Sequence, residues 1–138
     1  MLWFDPAMDA ERLAPLVLAY VGDAVFELYV RGHLAVGRRK VGRLHCRVVK
    51  LVSARAMAGF YKTLEPRLTP TEAAVLRRGR NAKSKSVKSA ALSEYHMSTG
   101  FEALVGYLFL SRQEERLGQL LAPLLEAARE IEEKEHDV

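Results

Sequence analysis

Two acidic residues stand where the surrounding sequence gives little reason for them. Asp23 interrupts the run Leu16-Val17-Leu18-Ala19-Tyr20-Val21-Gly22-Asp23-Ala24-Val25-Phe26-Glu27-Leu28-Tyr29-Val30, and Glu102 interrupts the apolar stretch from Gly100 to Leu110. A carboxylate in the middle of an apolar helix is costly to bury unless it is paired, hydrogen-bonded or bound to a cation. If the two stretches pack side by side the acids meet, and their mutual repulsion favours a hard divalent ion between them. Oxygen ligands without histidine or cysteine support suit Mg²⁺ or Mn²⁺. An ion held in that way polarises a phosphodiester and activates a water for its hydrolysis. Glu27, one turn after Asp23, adds negative potential on the same face. The competing reading is that each acid is partly exposed or paired with an arginine.

The elements that would position these acids are helices. Pro15 suits a first helical position, and nothing breaks the pattern after it until Gly32 and Gly37. Apolar residues fall on nearly every side of this helix, so it is expected at the centre of a helical core or at a subunit interface. Asp9 caps a short turn through Arg12. Lys40 to Leu51 is amphipathic with a basic outer face, and Ser53 caps a helix from Ala54 to about Leu64, closed by Glu65-Pro66. Thr69-Pro70-Thr71-Glu72 joins a capping box to a first-position proline and predicts a helix from Pro70 to about Arg78 that stops at Gly79. Arg80 to Ser89 is basic, serine-rich and aperiodic, which predicts a flexible loop over about 80–92. Ser98 or Thr99 caps a helix from Gly100 to Leu110, and a last helix runs from about Gln113 to Glu133 before an acidic tail that frays over about 134–138. No β alternation persists and no repeat is present. The fold class expected is all-α.

At 138 residues the chain fits one domain, residues 1–138. A single cysteine, Cys46, excludes an internal disulfide and a cysteine-rich zinc site. Met1-Leu2-Trp3-Phe4 lacks the basic start of a leader and reads as a docking arm, and no apolar run reaches the ~18 residues of a membrane helix. A cytoplasmic protein with no membrane association is expected. The net charge of +4 conceals an asymmetry: residues 31–90 hold sixteen Lys and Arg against two acids, and residues 112–138 hold eight acids against four bases. A basic middle of that strength suits a polyanion such as nucleic acid, or is a solvated helical surface. His33, His45, His96 and His136 lack ligand spacing and read as surface or packing residues.

Leu18-Ala19-Tyr20-Val21-Gly22-Asp23-Ala24-Val25 resembles the signature helix of the ribonuclease III catalytic domain, and Phe101-Glu102-Ala103-Leu104-Val105-Gly106-Tyr107-Leu108-Phe109-Leu110 resembles its second acidic motif. With Arg77-Arg78-Gly79-Arg80-Asn81-Ala82-Lys83 between them and no double-stranded-RNA-binding domain after them, the ordered set is similar to the Mini-ribonuclease III family. The resemblance implies an all-helical homodimer packed through the signature helix, with a valley that accepts double-stranded RNA. It implies a Mg²⁺-dependent endoribonuclease leaving 5′-phosphate ends, with Asp23 and Glu102 as catalytic residues and metal ligands. It further implies the large-subunit (23S) ribosomal RNA precursor as substrate, with a ribosomal-protein helper.

The pattern also departs from the wider family, which generally carries an acid four residues before the signature aspartate and another three before the second-motif glutamate; here Ala19 and Thr99 stand there. That leaves the number of metal ions open, with Glu27 or Glu94 as candidate outer-sphere contacts. A-form RNA is recognised mainly through phosphates and 2′-hydroxyls, which calls for distributed cations. Arg77, Arg78, Arg80, Asn81, Lys83, Lys85 and Lys88 are the expected RNA-binding residues, with Ser84 as a further neutral donor. The alternative is a noncatalytic dimer that clamps structured RNA.

Overall fold

The computed structural model describes residues 9–37, 40–82 and 89–136, with 132–136 as backbone alone. Among the described residues six helices follow one another: α1 (Pro15–Ala35), α2 (Val41–Leu51), α3 (Ala54–Leu64), α4 (Pro70–Asn81), α5 (Ala90–Leu110) and α6 (Glu114–His136). A 3₁₀ turn at Ala10–Arg12 precedes α1, and another at Glu65–Arg67 follows α3. No strand occurs among the described residues.

The axis of the molecule is α5. Phe101, Ala103, Leu104, Val105 and Leu108 on it are at most 1% exposed, because α1, α3 and α4 all pack against it. Burying an aliphatic or aromatic side chain of this size contributes roughly 1.5–3 kcal/mol, so this helix carries much of the driving force for folding. Phe26 of α1, Phe60 of α3 and Phe101 of α5 meet as a triangle with ring centroids 4.9–5.9 Å apart. Offset and edge-on aromatic contacts of this kind tie three helices at one point.

Capping chemistry sets the helix starts. Asp9 accepts from Glu11 N, Ser53 from Ala56 N, and Thr69 with Glu72 forms the complete capping box ahead of Pro70. Glu72 does more than cap. It is 4% exposed, and its carboxylate accepts two hydrogen bonds of 2.9 Å from the Arg116 guanidinium, which fastens the start of α4 to α6. The hydrogen bonds from Arg116 hold its carboxyl below the usual range, against the opposing effect of burial. Between α5 and α6, Arg112 adopts φ 61° and Gln113 N donates to Leu108 O at 2.8 Å, a Schellman-type reversal.

Three sequence expectations are corrected. Gly79 does not end α4, which continues to Asn81, because the glycine lies where α4 crosses α5: a Cβ there would sit 2.7 Å from Ala103 Cβ and 2.9 Å from Gly100 Cα. The helix of the second motif begins at Ala90, capped by Ser89, rather than at Gly100. Ser98 and Thr99 are inside it, and both hydroxyls donate to the Tyr95 carbonyl, at 2.7 and 3.0 Å. A hydroxyl bonding backward within a helix satisfies itself without capping anything. Of the loop expected over 80–92, Arg80, Asn81 and Ala90 to Leu92 are helical. The helix α6 extends through His136, into the tail expected to fray over about 134–138. Residues 83–88, 137–138 and the proposed docking arm at 1–4 lie outside the described residues.

Candidate active site

Backbone contact between α1 and α5 builds the site. A Cβ on Gly22 would collide with the Glu102 carbonyl oxygen, and one on Gly106 would collide with the Leu18 carbonyl oxygen. The two helices therefore touch main chain to main chain, next to Asp23 on one and at Glu102 on the other. Only glycine permits that approach. Sequence reasoning overlooked these two glycines, although the signal was available: Gly22 directly precedes one acid, and Gly106 follows the other by a single turn.

The consequence is that the two carboxyls meet. Burial pushes the Glu102 carboxyl up to about 8, reinforced by its hydrogen bond with Asp23 and by the Asp23 charge. Asp23 is exposed, so the expectation that it is an interior acid is corrected: it stands on the open side of α1, and only Glu102 is half-buried. Neither acid forms an ion pair with an arginine among the described residues. A half-buried acid that must hold a proton beside an exposed one is an arrangement that a cation relieves, since the cation replaces the proton.

The donor set is small. No group of three or more His, Cys, Asp or Glu side chains suited to a metal occurs among the described residues. Ala19 and Thr99, at the positions where the wider family carries acids, are each 7% exposed, and the Thr99 hydroxyl is committed to Tyr95 O. Glu27 forms a 3.2 Å ion pair with Arg31. Glu94 lies on α5 eight residues before Glu102. Two carboxylates opening to solvent fit an oxygen-seeking divalent ion that keeps most of its water, which is the habit of Mg²⁺.

The expected RNA-binding residues divide. Arg78 and Asn81 are exposed on the last turns of α4. Arg77 is exposed but its guanidinium lies 3.5 Å from the Glu65 carboxylate. Arg80 is half-buried, 5.8 Å from the ring centre of the buried Tyr61, and donates to Asn81 Oδ1 at 3.3 Å. Tyr61 in turn donates to Glu65 Oε2 at 3.4 Å. Tyr61 and Glu65 thus hold two of the arginines in place. Lys83, Ser84, Lys85 and Lys88 lie outside the described residues. Of the histidines, His96 is buried at 6% exposure, and His33 lies against Tyr29 with ring centroids 4.2 Å apart.

Comparison with known proteins accounts for the pairing of α1 with α5. The ribonuclease III domain family matches residues 16–113, a span that takes in both acid-bearing helices and everything between them. The Mini-ribonuclease 3 of Clostridium tetani is 37% identical over 131 residues, covering 92% of this chain and 86% of its own. That of Symbiobacterium thermophilum is 50% identical over 111 residues, covering 79% and 85%. That of Enterococcus faecalis is 41% identical over 130 residues, covering 91% and 98%. The chain belongs to the ribonuclease III family, in its Mini-ribonuclease III group.

As a member of the ribonuclease III family it is an endoribonuclease. A crystal structure of a Fusobacterium nucleatum protein superposes with a TM-score of 0.78 at 24% identity, covering 88% of this chain and 99% of that one, and so shares the fold. The ribonuclease III fold thus places the two acids at the crossing of its two most apolar helices.

Proposed function

We propose that this chain is a Mg²⁺-dependent endoribonuclease that cleaves double-stranded RNA to 5′-phosphate ends, with Asp23 and Glu102 as its catalytic, metal-holding residues. The observation that carries the reading is the meeting of those two carboxyls at a helix crossing, one of them open to solvent. A divalent ion held by the pair supplies a Lewis acid for the phosphodiester and an activated water. Asp23, being exposed, offers its oxygens on the substrate side. Glu102, fixed by the backbone contact at Gly22, presents its carboxyl from a constant position. Mn²⁺ is a chemically acceptable substitute.

A dimer belongs to the same proposal. Leu16, Val17, Tyr20 and Leu28 leave one side of α1 apolar and exposed, with Tyr20 at 82% and Leu28 at 62%, and Asp23 borders that side. A two-fold pairing through it would set two sites beside each other, one for each RNA strand. The resemblance to the Mini-ribonuclease III family implies maturation of the large-subunit (23S) ribosomal RNA precursor as the physiological task, with a ribosomal protein as helper, and that task is part of the proposal. A cytoplasmic location is consistent with that task, and no helix among the described residues is long and apolar enough to cross a membrane.

The test is cleavage of a long RNA stem by purified protein in Mg²⁺. Asp23→Asn and Glu102→Gln should each lose at least about a thousandfold in rate, in line with loss of a metal-activated nucleophile. Both should bind the stem as the parent does. Cleavage at the parent rate by both variants would sink the assignment.

A further inference from the structure

Residues 28–64 contain nine Lys and Arg and no acid. Arg31 is paired with Glu27, but five other cations of this stretch stand open. Lys40, Arg43, Lys50, Arg55 and Lys62 are all exposed, and none forms an ion pair with a carboxylate among the described residues. On α4 and α6, by contrast, Arg77 and Arg116 each hold a carboxylate and Arg80 lies against Tyr61.

Their placement is ordered. Arg43 and Lys50 are seven residues apart on α2, and Arg55 and Lys62 seven apart on α3, so each pair lies on one face of its helix, about 10 Å apart along the axis. Arg43 and Arg55 also occupy the first turns of their helices, where neither helix has an acid. The helix dipole is positive there and disfavours a cation. No carboxylate among the described residues compensates that placement, whereas a phosphate does so twice, through the side chain and through the dipole. Gly59, between Arg55 and Lys62, leaves open space above the backbone, since a Cβ there would meet no atom within 4 Å.

We infer that the outer faces of α2 and α3, through Arg43, Lys50, Arg55 and Lys62 with Lys40 beside them, form a phosphate-backbone contact surface for duplex RNA. This rests on the duplex-RNA substrate proposed above. These free cations supply more of the backbone affinity than Arg77 and Arg80, which are engaged within the protein. The contacts are to phosphates, so they position the RNA without selecting its sequence.

The experiment uses the full chain carrying Asp23→Asn, so that RNA is bound and not consumed. Binding of a labelled RNA duplex of about 30 base pairs is followed by anisotropy across a KCl series. Each phosphate contact removed lowers the slope of log affinity against log salt by about 0.7–0.9. Arg43→Gln, Lys50→Gln, Arg55→Gln and Lys62→Gln combined should lower it by about 3, so that the parent's advantage shrinks about 60-fold between about 50 and 200 mM salt. Arg77→Gln with Arg80→Gln should lower it by less than 1. Lys50→Gln and Arg55→Gln taken singly, each lowering the slope by nearly 1, keep the result readable if the fourfold variant folds poorly.

An unchanged slope in the single and fourfold variants overturns the inference and leaves the surface to an acidic protein partner. Failure of the nuclease reading is seen separately: a parent chain that cuts no duplex in Mg²⁺, yet shows the slope change, keeps this surface and loses its active site.

Discussion

Glu102 concentrates the physics of the site in one proton. Its carboxyl is pushed up to about 8 by burial and by Asp23, against an ordinary value of 4.5. Between those values the folded chain keeps a proton that the unfolded chain has released, so stability of the metal-free protein falls as pH rises across that window. Below about 4.5 both states are protonated and the effect is absent. Glu102→Gln removes the liability, so in chelator at pH 8.5 it should melt above the parent by roughly 1–2 kcal/mol, part of the full effect being screened by solvent. At pH 4.5 the two should coincide. Added Mg²⁺ should raise the parent's melting temperature more at pH 8.5 than at pH 6, because at the lower pH it must first displace the proton. Differential scanning calorimetry in EDTA and in Mg²⁺ measures both. A parent more stable at pH 8.5 than at pH 6 in chelator would contradict the account. That Asp23 and Glu102 are anomalous was legible in the residue string; which of them is exposed was not, because periodicity around a helix packed on several sides does not reveal which side is left open.

At the scale of the element, two kinds of glycine occur in one helix. Gly22 is pressed against the Glu102 backbone, while Gly32 faces empty space. Gly22→Ala should force α1 from α5 at a cost of about 3 kcal/mol and slow RNA cleavage at the same time, since it displaces Glu102 from Asp23. Gly32→Ala should instead stabilise by roughly 0.5–1 kcal/mol with cleavage unchanged, because alanine is the better helix former and meets no obstacle. Thermal melts of the two variants, read beside their cleavage rates, decide the matter, and equal effects would remove the contact from the explanation. Helix starts that depend on local chemistry were legible from the sequence: Ser53, Thr69 with Glu72, and Pro15 all stand where expected. The ends at Gly79 and near Ser98 were not, because a glycine at a helix crossing and a serine bonding backward look like breakers and caps until the packing is known.

For the whole molecule, the open question is what covers the exposed side of α1. Leu16, Val17, Tyr20 and Leu28 together form an apolar strip that water alone serves poorly. The parent should sediment at twice its 15.5 kDa chain mass at micromolar concentration. Val17→Glu with Leu28→Glu should return it to the mass of one chain and slow double-strand cleavage, while the melting of each chain's own core remains cooperative. A parent already at 15.5 kDa would remove the dimer from the proposal.

The amino-acid sequence alone determined that this chain is helical, where most of its helices start, and which two acids are out of place, because caps, prolines and hydrophobic period act over a few residues. It also displayed the basic middle and the acidic end. Only the tertiary structure decided that α5 rather than α1 is the axis, that Asp23 faces solvent while Glu102 is half-buried, and that Arg77 and Arg80 are held by Glu65 and Tyr61. Those outcomes depend on contacts between residues far apart in the chain, where the closeness allowed by Gly22 and Gly106 sets what the neighbouring side chains can reach.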